Sequence, residues 1–382
     1  MNPALITEGL RMFKRKMRVA CAGFEKYPGT DHTICNAIID DCWNAEKQYF
    51  QTSAKKDSNY PEFYARDFGM CAEALCNIGH AQRVIKTLEY AAAKYRAQGA
   101  ITVLITPKGK CINFPDIYSP DSVAYFFRSL RIAKARKIIV AYHAFLNAEI
   151  AKFEQKVIDE SRGIVRRAQF SGMRDHAIVY ASCYDMIMAC MLSSEIEKIN
   201  RMMSKTVLVN TLKKYPLQKN LLKYYWNGNY FRNSPDDDTL TAHCNVFPYW
   251  LSVITDRQMM RQSIKAIQNG GLDQPFPLRY EKGKGSGKFI WQEFFVQGWE
   301  ADAHWTFLAM PYIKVLAMIA PSSAQDALHQ YTQLIAAHHA FIEVYTRNKK
   351  PYSSPFFAAE TRMLWAAMYL DLKKEIERYH RR

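Results

Sequence analysis

Arg66 and Asp67 stand side by side where an aromatic run, Tyr60-Pro61-Glu62-Phe63-Tyr64, gives way to a helical pattern. Arginine carries a permanent charge and a planar fork of donors. Aspartate offers acceptors only. Such a pair can grip adjacent hydroxyls of a polar, uncharged ligand while the aromatics cover its apolar face. Taken alone, the motif reads first as an ion pair fixing a helix start, with Asp67 favoured by the helix dipole. Recurrence of the same chemistry changes that balance.

Five later helix fronts repeat it. Asp116-Ile-Tyr-Ser-Pro-Asp121-Ser122 joins a turn-setting Pro120 to two capping candidates, Ser119 and Asp121. Ser171-Gly172-Met173-Arg174-Asp175-His176 puts a carboxylate at a helix entrance after a glycine that lets the backbone turn. Tyr224-Tyr-Trp226 leads to Asp236, Asp237 and Asp238 and then to His243 and Asn245. The acid triplet lacks the alternating ligands of a hard-cation loop and reads as capping. Trp291-Gln-Glu293 precedes Trp299-Glu300-Ala-Asp302-Ala-His304. Glu343-Val-Tyr345 precedes Pro351-Tyr352, Glu360 and Trp365. Carboxylates among aromatic platforms and amides suit carbohydrate: rings stack on sugar C–H faces and polar groups fix hydroxyls. Glycoside hydrolysis needs two carboxyls, one protonated and one ionised. His176, His243 and His304 read as structural, and the pattern calls for no metal and no cofactor.

Helical periodicity dominates the elements that must position these residues. It predicts helices near 32–51, 66–78, 80–97, 120–135, 137–160, 176–192, 194–204, 238–253, 256–268, 300–319, 324–339 and 359–377. Strand character is confined to 101–105 and 206–210. Long connectors at 54–65, 98–119, 161–175, 215–237, 270–299 and 340–358 are too aromatic for disorder. The simplest architecture is all-α: six helical hairpins closed into an (α/α)6 toroid, with the long loops forming a pocket at one end. No low-complexity linker interrupts the chain. Residues 1–382 therefore read as one domain, with 1–30 as an N-terminal extension or first helix.

Composition sets the outer bounds. The chain has 382 residues, 49% of them hydrophobic, and a net charge of +16. Lysines and arginines are spread along the chain rather than massed in a tail, which disfavours nucleic acid as the partner. Nine cysteines show no ligand spacing, which points to a reducing cytoplasm. No secretory signal or membrane span is legible. A homo-oligomer is compatible with the sequence. The loop Lys282-Gly-Lys-Gly-Ser-Gly-Lys288 lacks the ordered spacing of a phosphate-binding loop.

Taken in order, these motifs resemble those of the six-hairpin (α/α)6-barrel glycosidases: glucoamylases, trehalases, processing α-glucosidases and alkaline/neutral invertases. The resemblance runs from about 60 to 375 and rests on Tyr64-Ala-Arg66-Asp67-Phe68, Ser119-Pro-Asp121-Ser122, Ser171-Gly-Met-Arg-Asp175, Asn245-Val-Phe-Pro-Tyr-Trp250, Pro275-Phe-Pro-Leu278, and Glu343-Val-Tyr with Pro351-Tyr352. It implies an inverting hydrolase of an α-glucoside or short oligosaccharide. Arg66 and Asp67 would hold the nonreducing-end sugar, Asp175 would be the general acid and Glu343 the general base. Tyr64, Trp291 and Trp299 are candidates for ring stacking, and Asp121, Glu300 and Asp302 for further substrate contacts. The chain departs from the family pattern where Arg174 is interposed before Asp175, so Asp121, Glu300 and Asp302 stand in reserve for the acid role. Two other classes compete: a sugar epimerase on a related barrel, centred on His243 and His304, and a non-catalytic carbohydrate- or nucleic-acid-binding protein.

Overall fold

A computed structural model describes residues 3–54, 58–114, 116–283 and 288–380. After α1 (Pro3–Ala22) the helices alternate in position, outer then inner. The pairs are α2 (Asp31–Asp41) and α3 (Ala65–Asn77), then α4 (Ala81–Gln98) and α5 (Pro120–Ile132). Next come α6 (Arg136–Ala141) with α7 (His143–Val157) outside α8 (Cys183–Met203), then α9 (Leu217–Tyr225) and α10 (Ala242–Trp250). The last are α11 (Arg257–Asn269) and α12 (Thr306–Ala317), then α13 (Pro321–His338) and α14 (Ala366–His380). The inner six close a ring: α3 packs on α5, α5 on α8, α8 on α10, α10 on α12, α12 on α14, and α14 back on α3. This is the (α/α)6 toroid.

The two sets of helices differ in sequence because they differ in surroundings. Every residue of α5 from Pro120 to Leu130 is buried, as expected for a helix enclosed on all sides. On α11 only Met260, Ser263, Ile264 and Ile267 are buried, a single stripe facing the ring. Close approach of α3 and α5 depends on Gly69, where a Cβ would fall 2.4 Å from Tyr125 Cβ.

Ring closure also fixes where the loops go. Each inner helix begins after a long loop, and each of the first five leads through a shorter connection to the next outer helix, so all six inner N-termini face one end. Short antiparallel ribbons join the loops there. Phe63–Tyr64 pairs with Leu104–Ile105, Ala177–Ile178 with Lys288–Phe289, and His304–Trp305 with Val344–Tyr345. Helix α1 ties two of these loops together. Arg11 Nη1 donates to Glu62 at 2.8 Å, and Arg15 Nη1 donates to the Ala358 carbonyl at 2.7 Å.

Several sequence expectations are corrected. The helix read over 32–51 stops at Asp41, because Trp43–Asn44 and Tyr49–Phe50 form a ribbon around Gln48, which has a positive φ. The helices read over 176–192 and 194–204 are one helix, α8, which starts only at Cys183, so Asp175 lies in the loop before it and not at a helix entrance. Burial of Met188–Leu192 and Ile196 in the ring carries the helix through the point where the two were divided. The connector read over 215–237 contains α9, whose stripe of Leu217, Asn220, Leu221 and Tyr225 is buried. No strand forms at 206–210; Asn200 instead bonds the backbone of Val207 and Leu208. The middle of the 282–288 loop lies outside the described residues. Among the described residues no helix is long and apolar enough to cross a membrane.

Candidate active site

At the loop end of the ring lies a pocket of about 570 Å³, open mouth included. Its wall takes Arg66, Asp67 and Met70 from the first turns of α3, and Met173 and Asp175 from the loop before α8. Glu300, Glu343, Met363 and Trp365 come from the loops before α12 and α14, and Phe307 from the start of α12. Aromatic rings cover much of the surface: Tyr60, Tyr64, Tyr280, Trp299, Trp305 and Trp365. A ring of helix N-termini places partial positive charge at this end, a favourable setting for carboxylates.

Arg66 organises one side. Its Nε donates to Asp121 Oδ2 at 2.6 Å and its Nη2 to Asp175 Oδ1 at 3.3 Å. Asp121 is fully buried, and it also accepts from the hydroxyls of Ser119 (2.6 Å) and Tyr184 (3.1 Å). Asp121 thus fixes Arg66 from behind. Asp67 accepts from Trp365 Nε1 at 2.9 Å, and burial pushes its carboxyl up to about 6 against the pull of Arg66.

Asp175 is held by its backbone. Glu300 accepts the N–H groups of Asp175 (2.6 Å), His176 (2.8 Å) and Ala177 (3.1 Å). This cradle fixes the segment, leaving the Asp175 side chain 31% exposed in the pocket. Burial raises the Asp175 carboxyl above its ordinary value, and Arg66 opposes the rise. Burial also works against charge on His176, yet Glu293 at its Nδ1 (3.1 Å), with Glu300 and Asp175 near, raises it above the ordinary histidine value.

Glu343 faces the same pocket from another loop. It is 2% exposed, and its Oε2 accepts the Glu360 N–H at 2.8 Å. Burial pushes its carboxyl up to about 8, against the hydrogen bonds from Glu360 and Tyr60. Glu360 lies behind it, accepting from Arg15 Nη2 (3.1 Å) and from the N–H groups of Asn59 and Thr361 (2.8 Å each).

Of the residues singled out from sequence, Tyr64, Arg66, Asp67, Asp175, Trp299, Glu300 and Glu343 meet in this pocket. Asp121, Trp291 and Asp302 are not in its lining. Trp291 is 60% exposed on the outer surface, and Asp302 pairs with Arg279. Arg174 turns away from the pocket to Glu281, 2.7 Å, and stacks over Tyr280. His243 and His304 are also absent from the lining. His243 packs between Tyr184 and Tyr280, and His304 lies against Phe276 with its ring pushed by burial to about 4. Sequence reasoning did not single out Tyr280, Trp305 or Phe307 as site residues. The signal available for Trp305 was its place immediately before α12, where the ring brings each helix front to the pocket. Among the described residues no cluster of histidine, cysteine, aspartate or glutamate could hold a metal ion.

Neither a family model nor a curated protein sequence matches the chain. Solved structures do. A rhamnosidase from Klebsiella oxytoca with rhamnose bound superposes with a TM-score of 0.62 at 12% identity, over 92% of this chain. The chain spans 66% of that protein's length. A glycosidase solved as a glutamate-to-alanine variant in complex with glucose gives 0.60 at 11% identity, over 97% of this chain and 98% of the other. The chain has the fold of the six-hairpin glycosidases. A GH63 mannosylglycerate hydrolase from Thermus thermophilus, in complex with Tris and D-glycerate, shares the fold at 0.59 and 10% identity over 90% of this chain and all of the other. With that glycosidase fold, the pocket described above lies at the end of the toroid where the inner helices begin.

Proposed function

We propose that the chain is a glycoside hydrolase that binds the terminal sugar of an α-glucoside or short oligosaccharide in this pocket and cleaves it with inversion. One observation carries the reading: two carboxyls from separate loops, Asp175 and Glu343, face one aromatic-walled pocket at the loop end of a glycosidase-type toroid. Asp175 acts as general acid, protonating the leaving oxygen. Its burial favours the protonated form, and Arg174 is engaged elsewhere, with Glu281. Glu343 acts as general base on a water at the opposite face of the sugar, which in an inverting enzyme requires the carboxyls to stand about 6.5–9.5 Å apart. Asp67 and Arg66 bind sugar hydroxyls, and Trp299, Trp305 and Trp365 pack on the ring faces.

Absence of both candidate histidines from the lining disfavours epimerase chemistry. All nine cysteines are free, which supports placing the enzyme in a reducing, cytoplasmic compartment. The test is a hydrolysis screen of trehalose, sucrose, kojibiose, nigerose, maltose, isomaltose and glucosylglycerate. A rhamnoside and mannosylglycerate belong in the same screen, and the product anomer is followed by NMR. Release of the inverted sugar is expected. Release with retention overturns the inverting mechanism, and no release of sugar from any substrate between acid and alkaline pH overturns the hydrolase reading.

A further inference from the structure

The pocket end carries an apolar surface that the proposed hydrolysis does not use. Among the described residues ten large hydrophobic side chains are exposed, and six of them belong to this surface: Leu10, Phe13, Met17, Trp291, Phe294 and Phe356. Phe294 is 73% exposed. Helix α1 explains half the patch. Arg11 and Arg15 bind it to the loops beneath, so the opposite face, with Leu10, Phe13, Lys14 and Met17 at helical spacing, points outward. Aromatic contacts join that face to the loops. Phe13 lies 6.2 Å from Phe356, Phe356 lies 4.9 Å from Phe295, and Phe295 lies 5.7 Å from both Trp291 and Phe294. Phe357, next along the chain from Phe356, packs 4.3 Å from Trp299 in the pocket wall. The patch therefore runs outward from the pocket rim.

Its charge says what covers it. Helix α1 has five basic residues (Arg11, Lys14, Arg15, Lys16, Arg18) against one acidic residue, Glu8; Arg11 and Arg15 turn inward to Glu62 and Glu360. Lys14 and Arg18 are exposed beside the apolar strip. A helix with a basic face and an apolar face of Leu, Phe and Met, adjoining exposed Trp and Phe, has the composition of an element that lies in a lipid interface. A second copy of a chain with net charge +16 would repel such a surface, whereas anionic headgroups would attract it. We propose that this patch seats the protein on an anionic lipid bilayer, with the pocket mouth turned toward the membrane. Display of the sugar substrate from that membrane is a corollary, and it rests on the hydrolase reading; the docking itself does not.

Sedimentation of the full chain with phosphatidylcholine vesicles, with and without phosphatidylglycerol, tests the docking. Binding to the anionic vesicles is expected, with little to the neutral ones and weakening as salt rises from about 0.1 M to about 0.5 M. Phe13→Ser combined with Phe294→Ser should weaken binding by about tenfold or more. Lys14→Glu should weaken it independently, which guards against a variant that merely folds poorly. Failure of the wild type to bind anionic vesicles at low salt would overturn the proposal, as would undiminished binding by both variants. A wild-type dimer dissociated by Phe294→Ser would assign the patch to self-association instead. None of these outcomes depends on hydrolysis, so failure here leaves the hydrolase reading standing.

Discussion

Replacing Glu343 by Gln separates the acid-base chemistry from the architecture. The carboxyl is almost completely buried, and burial holds it at about 8 instead of its ordinary 4.5. That difference corresponds to something on the order of 5 kcal/mol against ionisation, at about 1.4 kcal/mol per tenfold in the protonation equilibrium. The folded protein binds this proton more tightly than the unfolded chain does. The group's stabilising contribution is therefore fully present below pH 4.5 and is lost as pH rises through about 8. Glutamine keeps an oxygen to accept the Glu360 N–H but cannot ionise. Urea unfolding should find the variant close to wild type at pH 4.5 and more stable by several kcal/mol, roughly 3–5, at pH 9. Hydrolysis should fall by about 10²–10⁴-fold at every pH. In the wild type, kcat/KM should follow a bell, rising as Glu343 ionises and falling as Asp175 loses the proton it must donate. Parallel stability profiles for variant and wild type would refute the buried-acid argument. Full turnover retained by the variant would remove Glu343 from the chemistry.

Two further substitutions test neighbouring parts of the site. Asp175→Asn should cut hydrolysis of an unactivated disaccharide by about 10²–10⁴-fold while sparing a substrate with a good leaving group, such as a glycosyl fluoride; equal losses on both substrates would remove Asp175 from the acid role. Arg66→Lys should raise KM and lower stability by roughly 3–5 kcal/mol in thermal or urea unfolding, because one ammonium cannot satisfy both Asp121 and Asp175. Unchanged stability would mean that the Arg66 fork is not what holds those two carboxylates.

Much of the fold was legible because its determinants are local. Helical periodicity marked most of the helices, and the alternation of short and long connectors already paired them into hairpins. The long aromatic connectors marked the loop end. What misled was also local. The long helix α8 was divided near residue 193, and the short stripe of α9 is hidden beside Tyr224-Tyr225-Trp226. In both places burial in the ring outweighs a weak intrinsic preference.

By itself the sequence determined that carboxylates, arginine and aromatics stand at successive helix fronts, since each front is a short continuous motif. Only the tertiary structure decided which of them share a pocket. Asp121 and Asp175 both belong to such motifs, yet one is buried behind Arg66 and the other reaches the cavity. Glu300 serves the backbone of Asp175, and Arg174 turns to Glu281. Those outcomes depend on which side chains the closed ring brings within hydrogen-bonding distance across more than a hundred residues of chain, as between Arg66 and Asp175. The spacing of residues along a helix front does not encode them.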